Sequence, residues 1–215
     1  SELEEMLSGI PVSFDADTRV LPKGHDYPNE AKLDGFGPTW LQEHSAWGAL
    51  REWWLVHTHG ANTPNWDLLV TCSLDGNPGL ILVEAQANWP ELGRRGKPLS
   101  QDASPKSHEN HKQIGAAIDE ARAGWQEIDP DVQISRDSHY QLSTRLAFTW
   151  KLASLGIPTV LVYLGFTGDE GIRDVGDPFL DADDWYKAMR DYTKGVFPGH
   201  LLEKRLDVRG TPMWV

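Results

Sequence analysis

The hydrophobic pattern of the chain is most regular in two apolar segments on either side of a turn. One segment begins at Trp66, the other spans residues 80–83, and residues 75–79 between them read Asp-Gly-Asn-Pro-Gly. Turn-forming residues between two apolar runs predict a β-hairpin. Each predicted strand carries one acid that its apolar neighbours do not explain, Asp67 in the first and Glu84 in the second. We expect the hairpin to bring these two acids to the same end of a sheet.

Apolar residues recur with helical spacing elsewhere, which predicts helices at residues 38–57, 107–128, 138–155 and 182–194. The run at 157–166 differs, because it is almost continuously apolar and rich in β-branched residues. Such a run is typical of a strand that is buried on both faces of a sheet covered by helices. The order of these elements predicts an α/β fold in which helices flank a mixed central β-sheet.

The apolar patterns that predict helices and strands are less regular at the two ends of the chain than in residues 38–166. Residues 1–37 contain Pro and Gly too often for a long helix or strand, and we interpret them as an irregular N-terminal arm. Residues 38–166 form the predicted α/β core. Residues 167–215 are more polar, and we expect a C-terminal extension packed on the core, with a last strand at 211–215.

Composition limits the functions that this fold can serve. The chain carries 20 basic and 32 acidic residues, a net charge of -12, which argues against a protein that coats nucleic acid. A nuclease remains compatible, because a metal ion can neutralise clustered carboxylates. The single cysteine, Cys72, excludes an intramolecular disulfide and a cysteine-based zinc site. No signal peptide or membrane-length apolar run is visible, so we expect a cytoplasmic protein without a membrane partner.

Three polar residues on the predicted helices lie among apolar neighbours. Glu43 falls within the aromatic stripe of the first helix, where an acid is costly unless it is paired or metal-bound. Its alternative interpretation is an acid near a helix start, which the helix dipole favours. Gln141 and Arg145 lie one turn apart on the flank of the 138–155 helix. We expect this pair either to anchor loops or to bind carboxylates and phosphates.

Further candidates lie between the hairpin and the 107–128 helix. Ser107 and Asn110 extend the apolar stripe of that helix towards its start, which indicates a neighbouring cleft, with capping by Ser107 as the alternative. The preceding loop is the most basic stretch of the chain and would suit phosphate contacts, although a solubilising loop has the same composition. Its cations are Arg94, Arg95, Lys97 and Lys106.

The succession of a helix with a buried acid, two acid-bearing strands, two helices and a buried strand resembles the PD-(D/E)XK nuclease superfamily. This superfamily has the restriction-endonuclease-like fold, with an αβββαβ core. The resemblance covers roughly residues 40–166 and rests on Asp67 in one strand and on the run Glu84-Ala85-Gln86 in the next. Gln86 stands where the family most often has lysine, so the motif is an E-x-Q variant. Glutamine can orient a water molecule but supplies no charge, and Lys106 is the nearest substitute.

The resemblance implies a metal-dependent nuclease that hydrolyses phosphodiester bonds, of DNA or alternatively of RNA, with Mg2+ or Mn2+ as cofactor. The implied metal ligands are Asp67, Glu84, the Ala85 carbonyl and Glu43. The implied catalytic set is Asp67, Glu84, Gln86 and Glu43. The residues implied to support the site or to contact substrate are Gln141, Arg145, Ser107, Asn110 and Lys106.

Two other classes of function stay open at this point. A catalytically inactive domain of the same fold, serving as a binding or structural module, would explain both the negative net charge and the glutamine in the lysine position. A zinc-dependent hydrolase would instead use histidines for its metal. The oligomeric state is also open, and exposed tryptophans would supply the interface of a homodimer. The histidines available for zinc are His57, His59, His108 and His111.

Overall fold

A computed structural model describes residues 2–22, 29–33, 46–59 and 63–215 of the protein. Within these ranges, a mixed seven-stranded sheet lies against helices, which confirms the predicted α/β fold. The strands are β1 (Val12–Ser13), β2 (Val20–Leu21), β3 (Leu68–Leu74), β4 (Asn77–Gln86), β5 (Thr159–Gly165), β6 (Arg205–Val208) and β7 (Thr211–Trp214). The helices are α1 (Glu2–Met6), α2 (Ala46–Trp54), α3 (Pro105–Gln126), α4 (Tyr140–Ser154) and α5 (Ala182–Thr193). Short 3-10 helices lie at Trp89–Glu91, Glu170–Ile172 and Gly199–Leu201.

The central hairpin of β3 and β4 forms as its sequence predicts. Asp75 and Gly76 form the tight turn, with φ of 51° and 77°, a left-handed pair that suits the twist of an antiparallel hairpin. The register then runs from the pair Leu74 and Asn77 to the pair Leu68 and Val83. This register sets which side chains of β4 face the helices, because side chains alternate along a strand.

The rest of the sheet is assembled around β4. Helices α3 and α4 form the crossover from β4 to β5, which pairs parallel to β4 and places Tyr163 beside Glu84. The hairpin of β6 and β7 extends the sheet beyond β5, so the C-terminal extension contributes two strands to it. On the other side, β1 and β2 both pair antiparallel with β3, so the N-terminal arm also supplies strands.

The two faces of the sheet carry different cores. On one face, the strand residues Leu69, Leu80 and Leu82 belong to the large core that includes the buried residues of α2, α3 and α4. On the other face, Val70 and Ile81 belong to a smaller core that includes residues of the N-terminal arm. The alternation of apolar positions on β4 therefore serves two cores, and its even-numbered residues face the helices.

Helix α4 is held tightly against α3, which fixes the helix that carries Gln141 and Arg145. A Cβ atom added at Gly124 would lie 2.1 Å from the Trp150 ring, so only glycine allows this approach. The Trp125 indole N–H also donates to the Leu146 carbonyl at 3.0 Å. The apolar stripe of α3 is buried, as helical periodicity predicts, and consists of Ile114, Ala117, Ile118, Ala121 and Trp125.

The exposed tryptophans expected for a homodimer interface are not found in the part of the chain that the structure describes. Every described tryptophan is buried or half-buried, because these rings fill the core against one another and against phenylalanines. In the same ranges, no helix has the length and apolarity needed to cross a membrane.

Candidate active site at the end of strand β4

Glu84 is a buried acid on the helix-covered face of β4. It follows Leu80 and Leu82 on that face, precedes Gln86, and is only 4% exposed. A buried carboxylate is costly unless other groups compensate its charge and accept its hydrogen bonds. The site is therefore defined by the groups that surround Glu84.

Both oxygens of the Glu84 carboxylate accept hydrogen bonds from side chains that the sequence singled out. The Arg145 guanidinium donates through Nε to Oε2 at 2.6 Å. Gln86 donates through Nε2 to Oε1 at 3.2 Å, and the Gln141 amide donates to the same oxygen. Gln141 and Arg145 reach one carboxylate because residues four apart share a helix face. The predicted pair on α4 thus lies at the acid of β4.

Asp67 lies immediately before β3, the strand that pairs antiparallel with β4. Its backbone N–H donates to the Val83 carbonyl at 3.2 Å, and its carboxylate accepts from the Ala85 N–H at 2.7 Å. Asp67 therefore bonds to the residues on either side of Glu84. The two acids therefore lie close together, as the hairpin predicts. The cause is local: the backbone pairing of β3 with β4 ends here, and the Asp67 side chain accepts a β4 N–H in place of a backbone carbonyl.

Burial dominates the electrostatics of Glu84. It raises the pKa of Glu84 above its ordinary value, the Arg145 guanidinium offsets part of this rise, and the nearby charge of Asp67 adds to it. Arg145 itself lies over the ring of Trp66, with Cζ 4.4 Å from the ring centroid, and Trp66 is fully buried. The aromatic face and the carboxylate together fix the guanidinium in one place.

Two tyrosines near Glu84 were missed by the sequence reasoning. Tyr163 is the β5 partner of Glu84, and its ring lies 6.4 Å from that of Tyr192 on α5. Burial raises the pKa of Tyr163 well above its ordinary value, and Tyr192 adds to the rise. The Tyr163 hydroxyl and the Gln86 Oε1 atom are buried without a hydrogen-bond partner in the described ranges. The spacing of Tyr163 from Leu161 places it on the helix-covered face, but only the register of β5 brings it to Glu84.

The chemistry of this donor set fits a hard divalent cation in kind. Asp67, Glu84 and the Ala85 carbonyl supply the oxygen ligands that Mg2+ prefers, at adjacent positions. The third acid expected from the sequence, Glu43, lies outside the described residues. Among the residues that the structure does describe, no group of three or more His, Cys, Asp or Glu side chains could hold a metal ion.

The other predicted residues lie at the start of α3. Lys106 and Ser107 are exposed in the first turn of α3, whose N-cap is Ser104 rather than Ser107, because the Ser104 hydroxyl accepts from the Ser107 N–H at 3.2 Å. Asn110 instead joins α3 to the loop after α2. Its side chain accepts from the His57 N–H and donates to the His57 carbonyl, both at 2.8 Å.

Two of the histidines proposed for zinc make other contacts. The His57 ring lies 2.6 Å from the exposed carboxylate of Glu109. His111 contacts the Lys97 carbonyl at 2.9 Å and the Arg136 guanidinium at 3.2 Å. A guanidinium against the imidazole opposes a cation there, so His111 does not fit the zinc hypothesis.

A cavity of about 300 Å³ opens beside this network. It lies between the end of α2, the loop before β3, the basic loop after β4 and the first turns of α4. Gln141 and Arg145 border both the cavity and the Glu84 carboxylate. Its lining includes Lys97, Tyr140, Gln141, Thr144 and Arg145.

No family model matches the chain, and no curated protein or solved structure matches it significantly.

Proposed function

We propose that the protein is a metal-dependent phosphodiesterase that cleaves nucleic acid, with DNA as the preferred substrate and Mg2+ or Mn2+ as the cofactor. The observation that carries the proposal is the meeting of Asp67, Glu84, Gln86, Gln141 and Arg145 at the end of β4. These residues come from three segments of the chain, and two of them, Gln141 and Arg145, border a cavity lined by cationic side chains. The resemblance to PD-(D/E)XK nucleases supplies the reaction class, and fold analogy alone does not establish chemistry.

In this proposal, Asp67, Glu84 and the Ala85 carbonyl would hold the metal ion. The ion would lower the pKa of a water molecule and stabilise charge on the scissile phosphate. Gln86 would orient that water through its Oε1 atom, which has no partner in the described part of the chain and can accept a hydrogen bond. The Arg145 guanidinium favours the ionised form of the buried Glu84, because it lowers the pKa that burial raises.

A second candidate is a non-catalytic module that binds an anionic partner. The observation that favours it is the full hydrogen bonding of Glu84, whose two oxygens are occupied by Arg145, Gln141 and Gln86. An arrangement of this kind can hold the sheet and α4 together without a metal ion. The two candidates differ in whether the acids bind a divalent cation.

Calorimetric titration with Mg2+ and Mn2+, together with a plasmid nicking assay, separates the two candidates. The variants are Asp67→Asn and Glu84→Gln, which keep the size of each side chain. Asp119→Asn is the control, because Asp119 is an exposed acid of α3 that pairs with Arg122. We expect the parent and the control to bind metal and nick the plasmid, and both site variants to lose nicking by at least about a hundredfold, the lower bound for a catalytic acid or base.

Absence of metal binding by the folded parent would contradict the phosphodiesterase proposal and favour the binding module. Metal binding without nicking would contradict nucleic-acid cleavage while keeping the metal site. Circular dichroism of each variant checks that lost activity does not reflect unfolding.

A further inference from the structure

The described lining of the cavity beside Glu84 is positively charged and contains no acid. Two cations, Lys97 and Arg145, belong to its lining, and none of the described residues around it is an acid. This composition is notable in a chain with a net charge of -12. A volume of about 300 Å³ lies at the lower end of the range for ligand sites, so the cavity suits a small group rather than a large cofactor.

Arg145 retains hydrogen-bonding capacity towards this cavity. Its Nε atom donates to Glu84, and its terminal nitrogens make no hydrogen bond within the described ranges. The guanidinium is also fixed over the Trp66 ring, so little side-chain freedom is left to lose on binding. A guanidinium held in this way presents two donors to an oxyanion, a geometry that suits phosphate.

Lys97 supplies a second charge that none of the described acids neutralises by an ion pair. Its Nζ atom lies 4.8 Å from the centroid of the Tyr140 ring, and no carboxylate of the described residues forms an ion pair with it. The backbone of Lys97 is fixed by hydrogen bonds, since its N–H donates to the Arg136 carbonyl at 2.9 Å and its carbonyl contacts His111. Lys97 is therefore held at the cavity by its neighbours rather than by an ion pair.

Thr144 gives an independent sign of a ligand. Its residue is 3% exposed, it lines the cavity, and its hydroxyl has no hydrogen-bond partner in the described part of the chain. The Tyr140 hydroxyl is a polar neighbour of Thr144. Burial raises the pKa of Tyr140, and Thr144 lowers it in part, but the two hydroxyls do not reach hydrogen-bonding geometry. Buried hydroxyls are nearly always paired, so an unpaired one beside a cavity indicates a partner that binds there.

The position of the cavity at the start of α4 also favours the binding of an anion. Tyr140, Gln141 and Thr144 belong to the first turns of α4, a helix of 15 residues. The start of a helix carries a partial positive charge and favours anions. His139, the N-cap residue, makes no side-chain hydrogen bond to this helix end.

We propose that this cavity binds an oxyanion of the phosphate class, with Arg145 and Lys97 as the charged donors and the Thr144 hydroxyl as a third donor. A free phosphate and the terminal phosphate of a nucleic-acid strand share this chemistry. The site needs no metal ion, so it stands independently of the phosphodiesterase activity proposed above.

The test is calorimetric titration of the folded protein with inorganic phosphate, at low ionic strength and in the presence of EDTA. Lys97→Met removes one charge at similar length, and Thr144→Val removes the hydroxyl at similar volume. Lys112→Met is the matched control, because Lys112 is exposed on α3 and does not line the cavity. We expect phosphate affinity to fall about tenfold in Lys97→Met and about threefold in Thr144→Val, the ranges for charged and neutral hydrogen bonds, and to stay unchanged in Lys112→Met.

Failure of the folded parent to bind phosphate would overturn the proposal. Equal weakening in Lys97→Met and Lys112→Met would also overturn it, because only general charge would then be involved. Two oligonucleotides of one sequence, with a 5′-phosphate or a 5′-hydroxyl, identify the source when each competes with phosphate. Displacement of phosphate by the phosphorylated strand alone assigns the cavity to a strand end, and displacement by neither strand assigns it to a free anion. Because EDTA removes divalent metal ions, the phosphate titration gives the same result whether or not the protein is a metal-dependent phosphodiesterase.

Discussion

The helix-covered face of β4 is divided into two halves that are equally buried and differently stabilised. Leu80 and Leu82 are fully buried among the apolar residues of the helices. Glu84 and Gln86, further along the same face, are 4% exposed and rest on hydrogen bonds from α4 and from each other. Apolar burial stabilises the fold without specific partners, whereas a buried carboxylate needs protein donors that replace its hydrogen bonds to water. The comparison teaches that burial alone does not distinguish core from site, and that the partners of each side chain do.

Removing Arg145, the cationic partner of Glu84, should destabilise the polar half more than any other single change. Arg145→Met keeps an apolar stem over Trp66 but leaves Glu84 buried without its cation. We expect the free energy of unfolding to fall by about 3–5 kcal/mol, the cost of breaking a buried ion pair from one side. Urea denaturation at neutral pH measures it. A loss below about 1 kcal/mol would mean that Glu84 is compensated by other groups.

In the apolar half, Leu82→Ala should cost about 2–5 kcal/mol, through lost burial and a cavity. This loss involves no titratable group, so it should be the same at pH 5 and pH 8. The loss in Arg145→Met should instead be smaller at pH 5, because an unpaired Glu84 can take up a proton there. Urea denaturation of both variants at both pH values compares the two halves directly, and parallel pH profiles would contradict the distinction.

The protonation of Glu84 gives a smaller effect with a definite sign. Because the folded protein raises the pKa of Glu84 above its ordinary value of 4.5, the folded state binds this proton more tightly than the unfolded state. The resulting stability is present below pH 4.5 and is lost as the pH rises through the higher folded value. We expect the unfolding free energy of the parent to fall, relative to Glu84→Gln, as the pH rises through this window. A relative increase over the same window would show that Arg145 outweighs burial.

The smallest effect is expected for an ion pair outside both halves. Arg122 and Asp119 pair on the surface of α3 at 2.9 Å, with side chains 35% and 61% exposed. Arg122→Met should change the free energy of unfolding by less than about 1 kcal/mol, because solvent screens the pair. Urea denaturation beside Arg145→Met makes this variant the matched control for loss of an arginine. A comparable loss of stability in both variants would show that the buried pair of Arg145 and Glu84 contributes no more than a surface pair.

The sequence predicts the main elements because their signals are local. The turn at Asp75 and Gly76 defines the hairpin, and helical periodicity identifies α3, α4 and α5 to within a few residues. The convergence of Asp67 with Glu84 follows from that hairpin, and the approach of Gln141 and Arg145 follows from their apolar surroundings. The metal-binding and catalytic roles of these residues stay predictions.

The elements that the sequence does not reveal depend on long-range pairing. Strands β1 and β2 are two residues each, too short for a periodic pattern, and they exist because β3 offers an unpaired edge. Tyr163 reaches Glu84 only through the parallel register of β5. The cavity is lined both by Lys97 of one loop and by Thr144 of α4, a proximity that neither segment encodes alone. Glu43 falls outside the described residues, so its predicted role is unchanged.

We infer that the polar half of the β4 face serves binding rather than stability. The direct measurement is the free energy of unfolding of the triple variant Glu84→Leu, Gln86→Leu, Arg145→Met, by urea denaturation at neutral pH. This variant turns the polar half into an extension of the apolar half, while Gln141 keeps access to the cavity. We predict a stability within about 1 kcal/mol of the parent, or above it, as for buried ion pairs replaced by apolar groups. A loss as large as that of Arg145→Met alone would show that the polar network is structural and would contradict the claim.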